Sequence, residues 1–203
     1  MVLQINSKTE EQPLWVTPLF PTGDKFLGVD VARMGSDETV LLSLNRYNKE
    51  KLKMIDMQIT KKTYLTQTVD DILIADKKYK YRKIYIDDGG IGSGVFDFLL
   101  REEQTKNKVV AINNSARPLD RDDKRKKKIL KEDLYANLLR LMEQGKVQLW
   151  NDDRMYLSLK SVQYEYTDEG NFRIFGNYTH ITEALIRAAW CMTDKTLNIY
   201  CYY

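Results

Sequence analysis

The chain has 203 residues, 43% hydrophobic and 30% charged, with a net charge of only +3. One folded domain is expected at this length, and 13 Tyr, 6 Phe and 3 Trp exclude global disorder. Two cysteines, Cys191 and Cys201, exclude a disulfide framework. With no signal-peptide pattern and no apolar run near the roughly 18 residues of a membrane span, a reduced setting away from membranes is expected.

Residues 1–23 carry three of the four prolines (Pro13, Pro18, Pro21) and little periodicity, which predicts a linker ahead of a domain over residues 24–203. Phe26 to Ala32 reads as a buried strand, Thr39 to Leu44 as a second and Leu52 to Ile59 as a third. A polar turn at Tyr47-Asn48-Lys49 joins the last two. Leu65, Val69, Ile72 and Leu73 then fall at helical spacing, with Thr63 as the expected N-cap. Lys83 to Asp87 is a short strand that runs into Gly89-Gly90-Ile91-Gly92-Ser93-Gly94. A helix bearing Val95, Phe96, Leu99 and Leu100 follows, and then a strand over Val109 to Ile112. An amphipathic helix carries Leu134, Leu138, Leu141 and Met142 and stops at Gly145. Tyr164 to Phe175 reads as a hairpin around Asp168-Glu169-Gly170-Asn171, and the last helix runs from about Ile181 to Met192 with Thr179 as its N-cap. Three early antiparallel strands followed by strand–helix alternation predict an α/β fold: a mixed sheet with parallel strands added, helices on its faces and a hairpin near the C-terminus.

Charge is concentrated in one place. Between Arg117 and Lys131 stand eight basic residues (Arg117, Arg121, Lys124, Arg125, Lys126, Lys127, Lys128, Lys131) against three acids, a net +5 that leaves −2 for the rest of the chain. Such a cluster is either the electrostatic footprint of a polyanion or a solvated loop.

Three places carry chemistry. Asp30 interrupts an apolar strand, where an unpaired carboxylate is costly to bury. Asp87 and Asp88 end a strand at a glycine-rich turn, where loops contribute ligands and backbone N–H groups approach anions. No Walker loop occurs. His180, the only histidine, lies one turn before Glu183, so that His180, Glu183 and Arg187 form a polar stripe beside an apolar one of Ile181, Leu185, Ala188 and Met192. Taken singly, each has a bland reading, as a turn cap or a surface acid. Together they supply carboxylates from separate elements, as a site for two cations about 3.5–4 Å apart requires.

The blocks Gly28-Val29-Asp30-Val31-Ala32-Arg33-Met34-Gly35-Ser36-Asp37, Ile84-Tyr85-Ile86-Asp87-Asp88-Gly89-Gly90-Ile91-Gly92-Ser93-Gly94-Val95 and Thr179-His180-Ile181-Thr182-Glu183-Ala184-Leu185 resemble the nuclease domain of the large terminase subunit of tailed bacteriophages and related viruses. The likeness spans residues 24–193. It implies a ribonuclease-H-like fold and a metal-dependent endonuclease that cuts concatemeric double-stranded DNA with two Mg²⁺ or Mn²⁺ ions. It implies Asp30, Asp87, Glu183 and His180 as catalytic and metal-binding residues. The motif's spacing selects Asp87 over Asp88, and Asp37 is expected to act from behind the ligands. Glu183 departs from the aspartate common in the family, which leaves open whether His180, Glu183 or both complete the site. The basic residues Arg117, Arg121, Lys124, Arg125, Lys126, Lys127 and Lys128 are expected to contact the DNA backbone. Implied partners are a packaging ATPase domain, a portal and a small terminase subunit, in host cytoplasm at the procapsid. The chain itself reads as an excised domain, since the ATPase is absent. Competing readings are a junction resolvase or transposase of the same superfold, an actin-like ATPase or sugar-kinase lobe, and a DNA-binding module whose acids are structural.

Overall fold

The structure, a computed structural model, describes residues 23–32, 37–114, 130–166 and 172–194. The predicted linker over residues 1–23 lies outside them except for Gly23, as does the basic segment from Arg117 to Lys128. Among these residues, eight strands form a six-stranded mixed sheet and a separate two-stranded ribbon. The sheet contains β1 (Asp24–Asp30), β2 (Glu38–Tyr47), β3 (Lys51–Lys61), β4 (Lys83–Ile86), β5 (Val109–Ala111) and β6 (Val147–Gln148), in the order β5-β4-β1-β2-β3-β6. The β1–β2 and β2–β3 pairs are antiparallel, whereas β4 joins β1, β5 joins β4 and β6 joins β3 in parallel. The turn between β2 and β3 has Asn48 and Lys49 at φ 52° and 59°, the twist that suits a tight hairpin.

Alternation along the strands divides the core between two faces. Leu27, Val29, Leu41, Ile84 and Ile86 pack with Val69, Ile72, Ala75 and Tyr79 of α1 (Leu65–Tyr79) and with Val95 and Leu99 of α2 (Gly92–Arg101). On the opposite face, Phe26, Leu42, Leu44, Leu52, Met54 and Tyr85 pack with α3 (Leu130–Glu143) and α5 (His180–Ala189). The result is three layers, helix–sheet–helix.

Several expectations change in detail. The N-cap of α1 is Tyr64, not Thr63, and no side chain caps it; the Thr63 hydroxyl pairs instead with that of Thr60, 3.3 Å away. Thr179 does precede α5, but its side chain makes no capping bond. Gly145 ends α3 at φ 64°, with Lys146 N–H bonded back to the Leu141 carbonyl. The sequence pattern predicts neither β6 nor α4 (Asp153–Ser161), a helix whose N-cap, Asp152, accepts from the backbone N–H groups of Arg154 and Met155. The expected hairpin is present as β7 (Gln163–Tyr166) against β8 (Phe172–Phe175). No described helix is long and apolar enough to cross a membrane.

Asp24, at the start of β1, accepts from Arg46 at 2.8 Å and Arg82 at 2.6 Å. Partial burial works against its charge, but the two guanidinium hydrogen bonds outweigh that and hold its carboxyl below the ordinary value. A carboxylate lowered in the folded state contributes stability at neutral pH that is lost on acidification through the folded value. Asp24→Asn is therefore expected to lower Tm at pH 7 and to narrow its gap to wild type as pH falls below about 4. A constant gap down to about pH 2.5, by thermal melts, would contradict this account.

Candidate active site

The register of β1 and β4 builds the site. Val29 lies opposite Ile86 in a parallel pair, so Asp30, the last residue of β1, and Asp87, the first after β4, leave adjacent strand ends together. Parallel strands release their following loops on one side of the sheet, the place where ligand sites form. Behind Asp87 the chain turns tightly: Gly89 N–H donates to Asp87 Oδ1 at 2.9 Å. At Gly92 a β-carbon would meet the Asp87 carbonyl at 1.7 Å, so only glycine lets α2 start there.

Helix α5 supplies the remaining groups. Its residues from Ile181 to Ala189 are all buried, so the predicted polar stripe faces the sheet rather than solvent. His180 Nδ1 lies 2.9 Å from Asp30 Oδ2. Arg187, fully buried, reaches three acids at once: Asp30 Oδ1 at 3.2 Å, Asp87 Oδ2 at 2.6 Å and Glu183 Oε2 at 3.3 Å. It also donates to the Glu183 carbonyl at 2.7 Å. Glu183 is held further by Tyr135 Oη at 2.8 Å and Lys131 Nζ at 3.2 Å, both from α3. Asn114, just past β5, donates to Asp87 at 3.3 Å and to Glu183 at 3.2 Å.

The structure therefore brings together Asp30, Asp87, His180 and Glu183. Asp88 makes no contact with this cluster among the described hydrogen bonds, and its Oδ1 is buried without a partner. Asp37 is exposed, yet its charge reaches His180. Arg187, Lys131, Tyr135 and Asn114 are the members that sequence reading does not assign to the site. In sequence, Lys131 counts with the basic segment and Arg187 with a helix stripe. Asn114 and Tyr135 carry no signal.

The environment divides the acids. Burial pushes the Asp87 carboxyl up, more than the neighbouring Arg187 pulls it down. Burial also opposes the charge on Glu183, but Arg187 and Lys131 outweigh it and hold that carboxyl below its ordinary value. The hydrogen bond to Asp30 raises His180, against a smaller effect of burial.

Among the described residues, these donors suit a hard divalent cation: three carboxylates, no thiolate, and the buried Asn114 Oδ1, which has no hydrogen-bond partner there. Arg187 nevertheless spaces the acids. Among the described residues, no three His, Cys, Asp or Glu side chains are grouped so that they hold one ion as they stand. Asp30 and Asp87, at adjacent strand ends, share the guanidinium of Arg187.

No protein-family model and no curated protein matches the sequence. Solved structures do match. The large terminase nuclease from thermophilic phage G20c, with bound magnesium, superposes with a TM-score of 0.67 at 18% identity, covering 84% of this chain and 82% of that one. The large terminase nuclease domain of Thermus phage P74-26 gives a TM-score of 0.64 at 17% identity, over 85% and 81% of the two chains. The chain has the fold of a large terminase nuclease domain. Its ribonuclease-H-like sheet is also found in the large terminase of another thermophilic bacteriophage, in complex with ATP-γ-S. There the TM-score is 0.63 at 13% identity, and the match covers 86% of this chain but 41% of that one. The G20c nuclease is also known with bound cobalt and with bound zinc.

Proposed function

We propose that this chain is the nuclease domain of a viral large terminase, a divalent-cation-dependent endonuclease that cuts concatemeric double-stranded DNA. One observation carries the reading: carboxylates from β1, from the end of β4 and from α5 meet at one guanidinium, on the fold of terminase nucleases. Asp30, Asp87 and Glu183, with His180 beside them, would hold two Mg²⁺ or Mn²⁺ ions, in keeping with the bound divalent metals of the G20c nuclease. Such ions supply Lewis-acid stabilisation of the phosphate and a water acidic enough to attack at neutral pH. The chain's own groups do the rest. Asp30 fixes the ring of His180 through Nδ1, which leaves Nε2 to take up or return a proton. Lys131 and Tyr135 orient Glu183. Arg117, Arg121, Lys124, Arg125, Lys126, Lys127 and Lys128 follow one another in the segment whose two flanks, Asn114 and Lys131, both touch Glu183. These basic residues would contact the phosphate backbone without reading sequence. In the full protein, residues 1–23 would link this domain to a packaging ATPase, and the assembly would work with a portal and a small subunit in host cytoplasm, at the procapsid.

A plasmid assay tests the reading. Supercoiled DNA with Mn²⁺ or Mg²⁺ is expected to become nicked and then linear, and EDTA is expected to stop the reaction. Cleavage that persists in EDTA, or none with either ion while DNA is still bound, would defeat it. Preference for four-way junctions over linear duplex would move the assignment to a resolvase.

A further inference from the structure

We propose that Arg187 is the resident cation of the carboxylate cluster, holding Asp30, Asp87 and Glu183 together so that the site is assembled before any divalent ion arrives. Three observations lead there. The side chain is wholly buried, and an arginine is almost never found so without paired acids. Its two terminal nitrogens serve all three carboxylates, at 2.6 to 3.3 Å, each acid coming from a different element. Its Nε has no partner among the described residues, so the guanidinium is placed for the acids and not for its own full satisfaction. Without Arg187, three carboxylates would stand close together in a partly desolvated pocket, with Lys131 and His180 as the cations paired with them among the described residues. Of the three acids, Lys131, which is partly exposed, pairs with Glu183 alone, and His180 with Asp30 alone. His180 ties α5 to β1 alone and Lys131 ties α3 to α5; neither is paired with Asp87, so neither joins both strand ends to the helix. Arg187 does, because it leaves α5 one turn after Glu183 and ends between β1 and β4.

A guanidinium in that place performs, for the fold, the task that a divalent ion performs when it binds. Arg187 and the ion are then partial substitutes in stability. The part of this inference that involves an ion rests on the metal-binding reading above; the charge-balance part does not.

Thermal melts of wild type, Asp87→Asn, Arg187→Met and the double variant Arg187→Met/Asp87→Asn, each in EDTA and in Mn²⁺, separate the two. In EDTA, Arg187→Met is expected to lose about 10 °C, as an orphaned buried acid cluster implies for a domain of this size. Asp87→Asn in the same chain should return a large share of that loss by removing one of the uncompensated charges, a gain in Tm well beyond the one that Asp87→Asn gives with Arg187 in place. A gain no larger than that one would overturn the proposal and make Arg187 a packing residue. Should Arg187→Met not fold in EDTA, circular dichroism of the double variant makes the same decision. Mn²⁺ is expected to raise Tm of Arg187→Met several-fold more than it raises Tm of wild type. An equal shift in both overturns the idea of substitution. If Mn²⁺ shifts no chain but Asp87→Asn still rescues, Arg187 stands as the resident cation and the metal-binding reading fails.

Discussion

Asp30→Asn and Asp87→Asn are each expected to lower the DNA cleavage rate by about 100-fold or more, about 3 kcal/mol of barrier, while the fold survives. Asparagine keeps the shape of aspartate and removes the charge, so the loss would be electrostatic and not steric. Stability should respond differently at half-buried Asp87 and buried Glu183, whose environments differ. Burial raises the Asp87 carboxyl, so its charge costs stability: the contribution is present at low pH and lost as pH rises through the folded value. Asp87→Asn is therefore expected to hold or increase Tm at neutral pH in EDTA. Glu183 is the reverse. Its carboxyl is held low by Arg187 and Lys131 against the effect of burial, so its charge stabilises at neutral pH and that contribution fades on acidification. Glu183→Gln should lower Tm at pH 7 as well as cleavage. The pair thus separates function from stability: both variants lose cleavage, and only Glu183→Gln loses Tm. A plasmid-nicking time course with melts in EDTA reads both. Full activity in Asp30→Asn or Asp87→Asn would remove that residue from the site, and a Tm loss in Asp87→Asn as large as in Glu183→Gln would show that the pairing with Arg187 outweighs burial at both.

The strand ends are legible in the sequence because two signals coincide there. Asp30 breaks an apolar run, and Asp87 stands between an apolar strand and a glycine turn, each an expensive arrangement without a partner. His180 and Glu183 are legible as a pair at helical spacing. What the pattern does not show is the direction of the stripe they form. An amphipathic reading assigns a polar face to solvent, yet α5 is buried along its length and its polar face meets the strand ends. Arg187 is thus visible as a stripe member and invisible as the centre of the site. Lys131 groups with its neighbours in sequence, although its ammonium belongs with Glu183. Helix α4 escapes because its period is weak: Tyr156 and Leu157 are exposed, and Met155 and Ser158 are its buried residues. Asp152, an ordinary N-cap, is the signal available for it.

The whole assembly depends on how closely α5 can approach β1, and Gly28 sets that distance. A β-carbon at residue 28 would lie 2.0 Å from the Ala184 carbonyl oxygen and 2.6 Å from the Ala188 nitrogen. Both are helix backbone, which cannot rotate away as a side chain could, so the helix as a body must retreat. Gly28 is two residues from Asp30, and Ala184 and Ala188 each adjoin a site residue, Glu183 and Arg187. A retreat of about an ångström stretches the 3.2 Å Arg187–Asp30 contact and the 2.9 Å His180–Asp30 contact past useful length. Gly28→Ala is expected to cost about 1–3 kcal/mol or more from overpacking, and to reduce cleavage beyond what the lost folded fraction explains, because the surviving fold holds its acids apart. Gly94→Ala is the matched control. Gly94 lies in α2, where the added carbon would meet only Leu65 Cδ1 at 3.3 Å, the end of a flexible side chain, and alanine is the better helix former by about 0.5–1 kcal/mol. Its Tm should stay level or rise, with cleavage intact. Melts and single-turnover cleavage on both variants, below their transition temperatures, give the comparison. Wild-type cleavage by the folded fraction of Gly28→Ala would mean that α5 can shift without moving the site, and that the contact between helix and strand serves packing alone.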